Sequence, residues 1–274
     1  MKIIQVTDIH LGHQGELRFG ANLHERLARC VEHINANHAD AALCVFTGDL
    51  TETGEADCYA DLKAALSALL VPYRLLPGNH DRRANLIAAF PECADDESGF
   101  VQSVHDTDEG SLLFLDTLAE GRVTGELCER RLAWLDARLS EAAGRPALIF
   151  MHHPPVALGL AELDPLGLEQ PARFLGLLKH HGNISGIFFG HVHRDVAGTI
   201  AGIPFFAQRG LHARFALDFN HPGATVEQAP PSYAIILIDR AAKRVIVHGC
   251  DFLEQWPAYS AETGEILTSD ARRG

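Results

Sequence analysis

Lys2-Ile3-Ile4-Gln5-Val6-Thr7-Asp8-Ile9-His10 decides the fold, because an apolar strand runs without a break into two side chains able to bind a metal. The same grammar recurs four times. Val45-Phe46-Thr47 leads into Gly48-Asp49, and the run ending at Leu76 leads into Gly78-Asn79-His80-Asp81. Leu148-Ile149-Phe150 leads into His152-His153-Pro154, and Ile187-Phe188-Phe189 into Gly190-His191-Val192-His193. Between these strands, Leu23, Leu27, Cys30, Val31 and Ile34 recur at helical spacing and predict a helix over 22–38. Further helices are expected over 58–70, 127–143 and 172–180, and an antiparallel pair over 100–105 and 111–116. After His193 the spacing predicts strands over 197–200, 204–207, 233–239 and 244–250 with no helix between them. Alternating β and α followed by consecutive β implies an α/β fold of two packed sheets with helices outside.

Composition sets the limits. The chain has 274 residues, 47% of them hydrophobic, with a mean hydropathy of zero, as expected of a globular enzyme with a full core. Its 36 acidic against 23 basic residues leave a net charge of −13, which argues against dedicated nucleic-acid binding. A local metal charge would still admit an anionic substrate. No apolar run approaches a membrane span and the opening strand is not a signal peptide, so no membrane partner and a cytoplasmic location are expected. The six cysteines are scattered and read as buried hydrophobes or odd surface thiols. No P-loop, His-Glu-x-x-His or Gly-x-Ser-x-Gly motif is present. Residues 1–253 read as one catalytic domain and 254–274 as a polar tail, with 218–232 a long loop at the active site or an oligomer contact.

Each motif alone is a weak signal; five at the ends of apolar strands, where open α/β sheets place their sites, are a strong one. In an extended Asp8-Ile9-His10, residues i and i+2 project together while Ile9 faces the core. Gly48 lets the backbone turn so that Asp49 projects from its strand. Imidazole, carboxylate and carboxamide donors suit Mn, Fe, Zn or Co.

The order Asp-x-His, Gly-Asp, Gly-Asn-His-Asp, His-His, Gly-His-x-His over residues 8–193 resembles the calcineurin-like metallophosphoesterase superfamily. Within it, the chain resembles the bacterial branch of cyclic-nucleotide and glycerophosphodiester phosphodiesterases. The resemblance implies a four-layer αββα sandwich of two mixed β-sheets flanked by helices. It also implies two transition-metal ions: Asp8, His10 and His193 on the first, Asn79, His152 and His191 on the second, and Asp49 bridging. One carboxylate can serve two ions about 3.5–4 Å apart, and solvent shared by both would be a nucleophile at neutral pH. In-line attack by a bridging hydroxide on a small phosphodiester is the reaction implied. A phosphomonoesterase or phosphonate monoesterase on the same site is the alternative, and a non-catalytic scaffold is disfavoured because no ligand position is lost. A homo-oligomer, dimer or larger, is expected from the resemblance and from the polar tail.

His80 follows a ligand and reads as the residue that stabilises the transition state and protonates the leaving oxygen. Asp81 could orient His80 or cap a helix beginning near Arg82, and the cap is the favoured reading. Arg82 and Arg83 read as solvated surface residues and His153 as structural. His13 and His221 are candidates for the substrate edge.

Overall fold

The computed structural model describes residues 1–94, 98–219, 224–253, 258–263 and 265–267. One sheet joins β1 (Lys2–Val6), β2 (Leu43–Thr47), β3 (Tyr73–Leu76), β12 (Tyr233–Asp239) and β13 (Arg244–Cys250), in the order β13-β12-β1-β2-β3. β1, β2 and β3 run parallel, while β12 is antiparallel to β1 and to β13. The second sheet joins β4 (Ser103–Thr107), β5 (Gly110–Phe114), β6 (Ala147–Phe150), β7 (Ile184–Phe189), β8 (Val196–Ile200) and β9 (Ile203–Ala207), in the order β4-β5-β6-β7-β9-β8. Its inner strands β5, β6, β7 and β9 are parallel and its edges antiparallel.

The period of two along each strand builds the layers. From β1, Ile3 enters an apolar cluster between the sheets with Val45, Leu148, Phe150, Phe188 and Ile236. Its neighbours Ile4 and Val6 turn the other way, onto Leu27, Val31 and Ile34 of α1 (Leu23–His38) and Leu62 of α2 (Ala56–Leu66). Behind the second sheet, Ile149, Ile187 and Phe189 meet Leu135 of α4 (Glu129–Glu141) and Phe174 of α5 (Pro171–Leu178). The result is the expected αββα sandwich. Phe114, Phe150 and Phe188 stack across the inner face, with centroids 5.5 and 5.0 Å apart. β12 and β13 complete the first sheet.

Several boundaries differ from expectation. α2 ends at Leu66 rather than Leu70, because Asn35 takes up the next turn: its side chain donates to the Ala68 carbonyl and accepts from the Leu70 amide. β4 begins at Ser103, since Phe100 is drawn off the sheet under the guanidiniums of Arg83, Arg130 and Arg131. A short helix, α3 (Arg83–Ala89), follows the third motif. The 218–232 segment carries β11 (Val226–Glu227), which pairs with β10 (Arg214–Phe215). Most of the expected tail lies outside the described residues. Among the described residues, no helix is long and apolar enough to cross a membrane.

Candidate metal centre

All five motifs leave their strands at one end of the sandwich. Asp8, His10, Asp49 and Asn79 come from the first sheet, and His152, His191 and His193 from the second. Five of the seven do not project from extended chain. Asp8, His10, Asp49, His191 and His193 all have positive φ, between +46° and +70°, so the Asp-x-His and His-x-His pairs are left-handed turns rather than strand continuations. That corrects the extended reading of Asp8-Ile9-His10. Asp and His tolerate this region better than most side chains, and the conformation still stores strain of about 1–3 kcal/mol per residue. The intervening Ile9 and Val192 are buried in the two outer apolar layers, as expected for Ile9.

Two glycines make the approach possible. Gly48 has φ +94°, and a Cβ there would strike the His152 ring. At Gly78 a Cβ would fall on the backbone nitrogen and carboxylate of Asp49.

The donor atoms converge in two groups. Nε2 of His193 lies 3.4 Å from Oδ1 of Asp8 and 3.1 Å from Nε2 of His10. Oδ1 of Asn79 lies 2.9 Å from Nδ1 of His191 and 3.3 Å from Nε2 of His152. Asp49 stands between them, its Oδ2 3.4 Å from Nε2 of His10 and 3.3 Å from Nε2 of His152. Three rings are aimed by outer partners: Nδ1 of His10 meets Glu52 at 3.0 Å, that of His152 the Thr47 carbonyl at 2.8 Å, and that of His193 the Ala213 carbonyl at 2.7 Å. Such contacts fix the tautomer and turn Nε2 inward, as they do behind metal-binding histidines.

The electrostatics ask for cations. Burial acts to raise the Asp49 carboxyl, yet His152 and His10 beside it hold it well below the ordinary carboxylate range. Burial likewise opposes ionisation of Asp8, and His193 overcomes it. Burial acts to lower His152, but Asp49 and Asp8 lift it to about 9. Burial, with the neighbouring His152, pushes His191 down to about 3. Nε2 of His10 and Nε2 of His193 lie 3.1 Å apart, a spacing that needs a proton or a shared cation between the two lone pairs. A metal cation would replace the protons at these inward atoms, so the donor set fits the group that the motifs imply.

His80 sits at the edge of this centre, partly exposed. Its Nδ1 lies 2.8 Å from the Glu52 carbonyl, which leaves Nε2 available to a substrate. The structure corrects the reading of Asp81 as a helix cap. Arg82 occupies the cap position, and the buried Asp81 carboxylate accepts from the amides of Gly78, Leu50 and Thr51 and from the hydroxyls of Thr51 and Tyr59. Asp81 therefore ties the second motif to the third. Arg83 is not a solvated surface residue either: it is largely buried against Asp116, with Nε 2.6 Å from Oδ2. His153 is buried between Thr117 and the Val123 carbonyl, consistent with a structural role. His13 turns away from the centre onto Asp57 and Glu55. His221 lies outside the described residues.

The sequence reading missed three residues. His212 is buried, its ring 4.5 Å from His10 and 5.2 Å from His193, and its backbone pairs with Asp8. Its one sequence signal is a strand followed by Gly210-Leu211-His212, the same grammar as the five motifs. Glu52 and Arg18, joined by an ion pair, had no such signal. A cavity of about 240 Å³ opens over the centre, lined by His80, His212, Arg18 and an apolar wall that includes Phe19, Leu163 and Phe215. A larger cleft of about 730 Å³, at the opposite ends of β6 and β7, contains none of the motif residues.

The profile of the family described as calcineurin-like phosphoesterase matches residues 1–195. The chain belongs to that family. It is 38% identical to a "probable cyclic nucleotide phosphodiesterase" of Rhodopseudomonas palustris over 97% of this chain and 98% of that one. It is 33% identical to a "probable glycerophosphodiester phosphodiesterase" of Arcobacter nitrofigilis over 71% of this chain and 72% of the relative. A dimetal phosphatase from Danio rerio shares the fold, with a TM-score of 0.67 at 17% identity over 90% of this chain and 95% of that one.

Proposed function

We propose that the chain is a dinuclear-metal phosphodiesterase acting on a small diester, of which a cyclic nucleotide or a glycerophosphodiester is an example. Asp8, His10, His193 and Asp49 would hold one ion, and Asn79, His152, His191 and Asp49 the other. Nitrogen and oxygen donors suit Mn, Fe, Zn or Co. When bound, such ions supply positive charge for the phosphoryl oxygens and acidify water.

The observation that carries the diester reading is the cavity wall. Besides the donors, its lining is largely apolar, with Phe19, Val123, Leu163, Leu166, Phe215 and Val226. A monoester presents a second anionic oxygen there, whereas a diester presents a second organic group. Arg18 is the one Lys or Arg among the described lining residues, and its charge is already engaged by Glu52. The wall thus favours a second group with an apolar or aromatic face, such as a nucleobase carries. The relatives named as phosphodiesterases support the same reading.

His80 is held for proton delivery. With Nδ1 donating to the Glu52 carbonyl, a protonated ring offers Nε2–H to the oxygen of the departing alcohol. Water loses one proton to solvent as its oxygen bonds to phosphorus, the phosphorus–oxygen bond to the alcohol breaks, the alcohol leaves with the proton from His80, and His80 regains a proton from solvent. All six cysteines are free thiols, which supports placing the protein in a reducing cytoplasm.

The test is a panel on metal-reconstituted protein: bis(p-nitrophenyl) phosphate, p-nitrophenyl phosphate, cyclic nucleotides, glycerophosphodiesters and a phosphonate monoester. Diesters are expected to turn over faster. Faster monoester hydrolysis would overturn the diester reading, and no turnover of any ester would overturn the enzyme.

A further inference from the structure

Away from the strand-end motifs, the fold assembles a second group of metal-capable donors. His13 comes from the loop after β1, and Asp57 and Cys58 from the first turn of α2. One ligand atom from each, a nitrogen, an oxygen and a sulfur, lies within 4.8 Å of the other two. Nδ1 of His13 is 3.0 Å from Asp57 Oδ2, and its Nε2 is 3.1 Å from Glu55 Oε2. We propose that His13, Asp57 and Cys58 form a third metal site, separate from the catalytic pair, that takes one borderline divalent ion of the Zn²⁺ or Co²⁺ type.

Donor chemistry sets the class of ion. A thiolate with an imidazole and a carboxylate selects Zn²⁺ or Co²⁺ over Mg²⁺ and Ca²⁺, which take oxygen donors. Three protein ligands and a water give the four-coordinate geometry these ions accept. An ordinary ion pair of His13 with Asp57 and Glu55 would have no use for a sulfur; the thiol is what sets this cluster apart. Asp57 and His13 are exposed, so an ion can reach them from solvent, while Cys58 is 1% exposed and forms the inner wall.

The surroundings favour a cation. Glu16 acts on His13, and Glu55, Asp57 and Asp61 act on Cys58. Burial and those three carboxylates push the Cys58 thiol up to about 11. The same negative field that opposes a bare thiolate attracts a divalent ion and outweighs the weak positive end of α2. Binding exchanges charge for charge: the ion enters, the Cys58 proton leaves to solvent, and any proton on His13 leaves with it.

The site adjoins the catalytic centre through the chain. The 51–55 segment that ends at Glu55 also carries Glu52, bonded to His10 and Arg18.

Titration of the metal-free full chain with Co²⁺ tests the assignment. None of the seven catalytic donors is a sulfur, so a thiolate-to-cobalt charge-transfer band in the near ultraviolet that depends on Cys58 reports the third site and not the catalytic pair. The expected result is that band, with a third Co²⁺ per chain. It should be absent in Cys58→Ser, and His13→Ala should need at least about tenfold more Co²⁺ to develop it. His13 is exposed and outside the catalytic machinery, so His13→Ala should keep its circular dichroism and any diester turnover. Two ions per chain with no band, a band that survives Cys58→Ser, or an unchanged titration in His13→Ala would each overturn the site. Because the band reports sulfur alone, it is read independently of whether the catalytic pair hydrolyses a diester.

Discussion

The backbone amide of His80 donates to Oδ1 of Asp49 at 2.9 Å, so the His80 ring is tied to the carboxylate that stands between the two donor groups. Position and charge are thereby coupled across the third and second motifs.

Replacing His80 by Ala should therefore spare metal binding and strike turnover. We expect kcat on a phosphodiester to fall by about 10²–10⁴-fold with little change in metal content. The loss should be larger for an alkyl leaving group than for p-nitrophenolate, which needs no proton. Equal losses on both would remove proton delivery from the role of His80.

Glu52→Gln should act on the metal instead. The carboxylate aims the His10 ring and pairs with Arg18. Loss of an outer partner of this kind costs about 10–100-fold in metal affinity. Competition against a chelating dye measures it, and full activity should return at saturating metal.

Asp81→Ala should unfold more easily because three loop amides lose their acceptor. A destabilisation of about 2–4 kcal/mol is expected, read as a lower urea midpoint at unchanged slope. Tyr59→Phe removes one donor to the same carboxylate and should cost only about 1 kcal/mol. If both variants melted alike, Asp81 would not be the hub of these loops.

Metal removal should lower thermal stability. Saturation at a hundred times Kd adds about 2.7 kcal/mol, or roughly 5–10 °C in Tm for a chain of this size. Differential scanning with and without a chelator gives the shift. No shift would mean that the buried carboxylates are satisfied by protons alone.

Phe19→Ala trims the apolar wall without touching a donor. KM for an aromatic diester should rise severalfold while kcat on p-nitrophenyl phosphate stays level. A parallel change on both substrates would show that the wall does not hold the second ester group.

What could be read from sequence was whatever local pattern encodes. Apolar runs such as Leu148-Ile149-Phe150 must be buried strands, and the polar motif after each one marks its end. All seven expected ligands converge for that reason. Asp81 was misread because the rule for helix caps is local, whereas the Tyr59 hydroxyl that it accepts from lies 22 residues away. α2 was overextended because its last turn is taken by Asn35, from another helix. His212 escaped because Gly-x-His is a thin signal until its strand is seen beside β7. The left-handed turns at Asp8 and His10 were invisible, since an alternating pattern looks the same whether the chain runs straight or twists back.

Four of the seven donors hang from one sheet and three from the other. Neither half can assemble the centre by itself, and no slip between the halves would leave it intact. An ion seated there would act as a rivet through two plates. Its hold would be a gauge of their alignment, so a substitution deep in the Phe114–Phe150–Phe188 stack should be felt at the metal before it is felt in the melting curve.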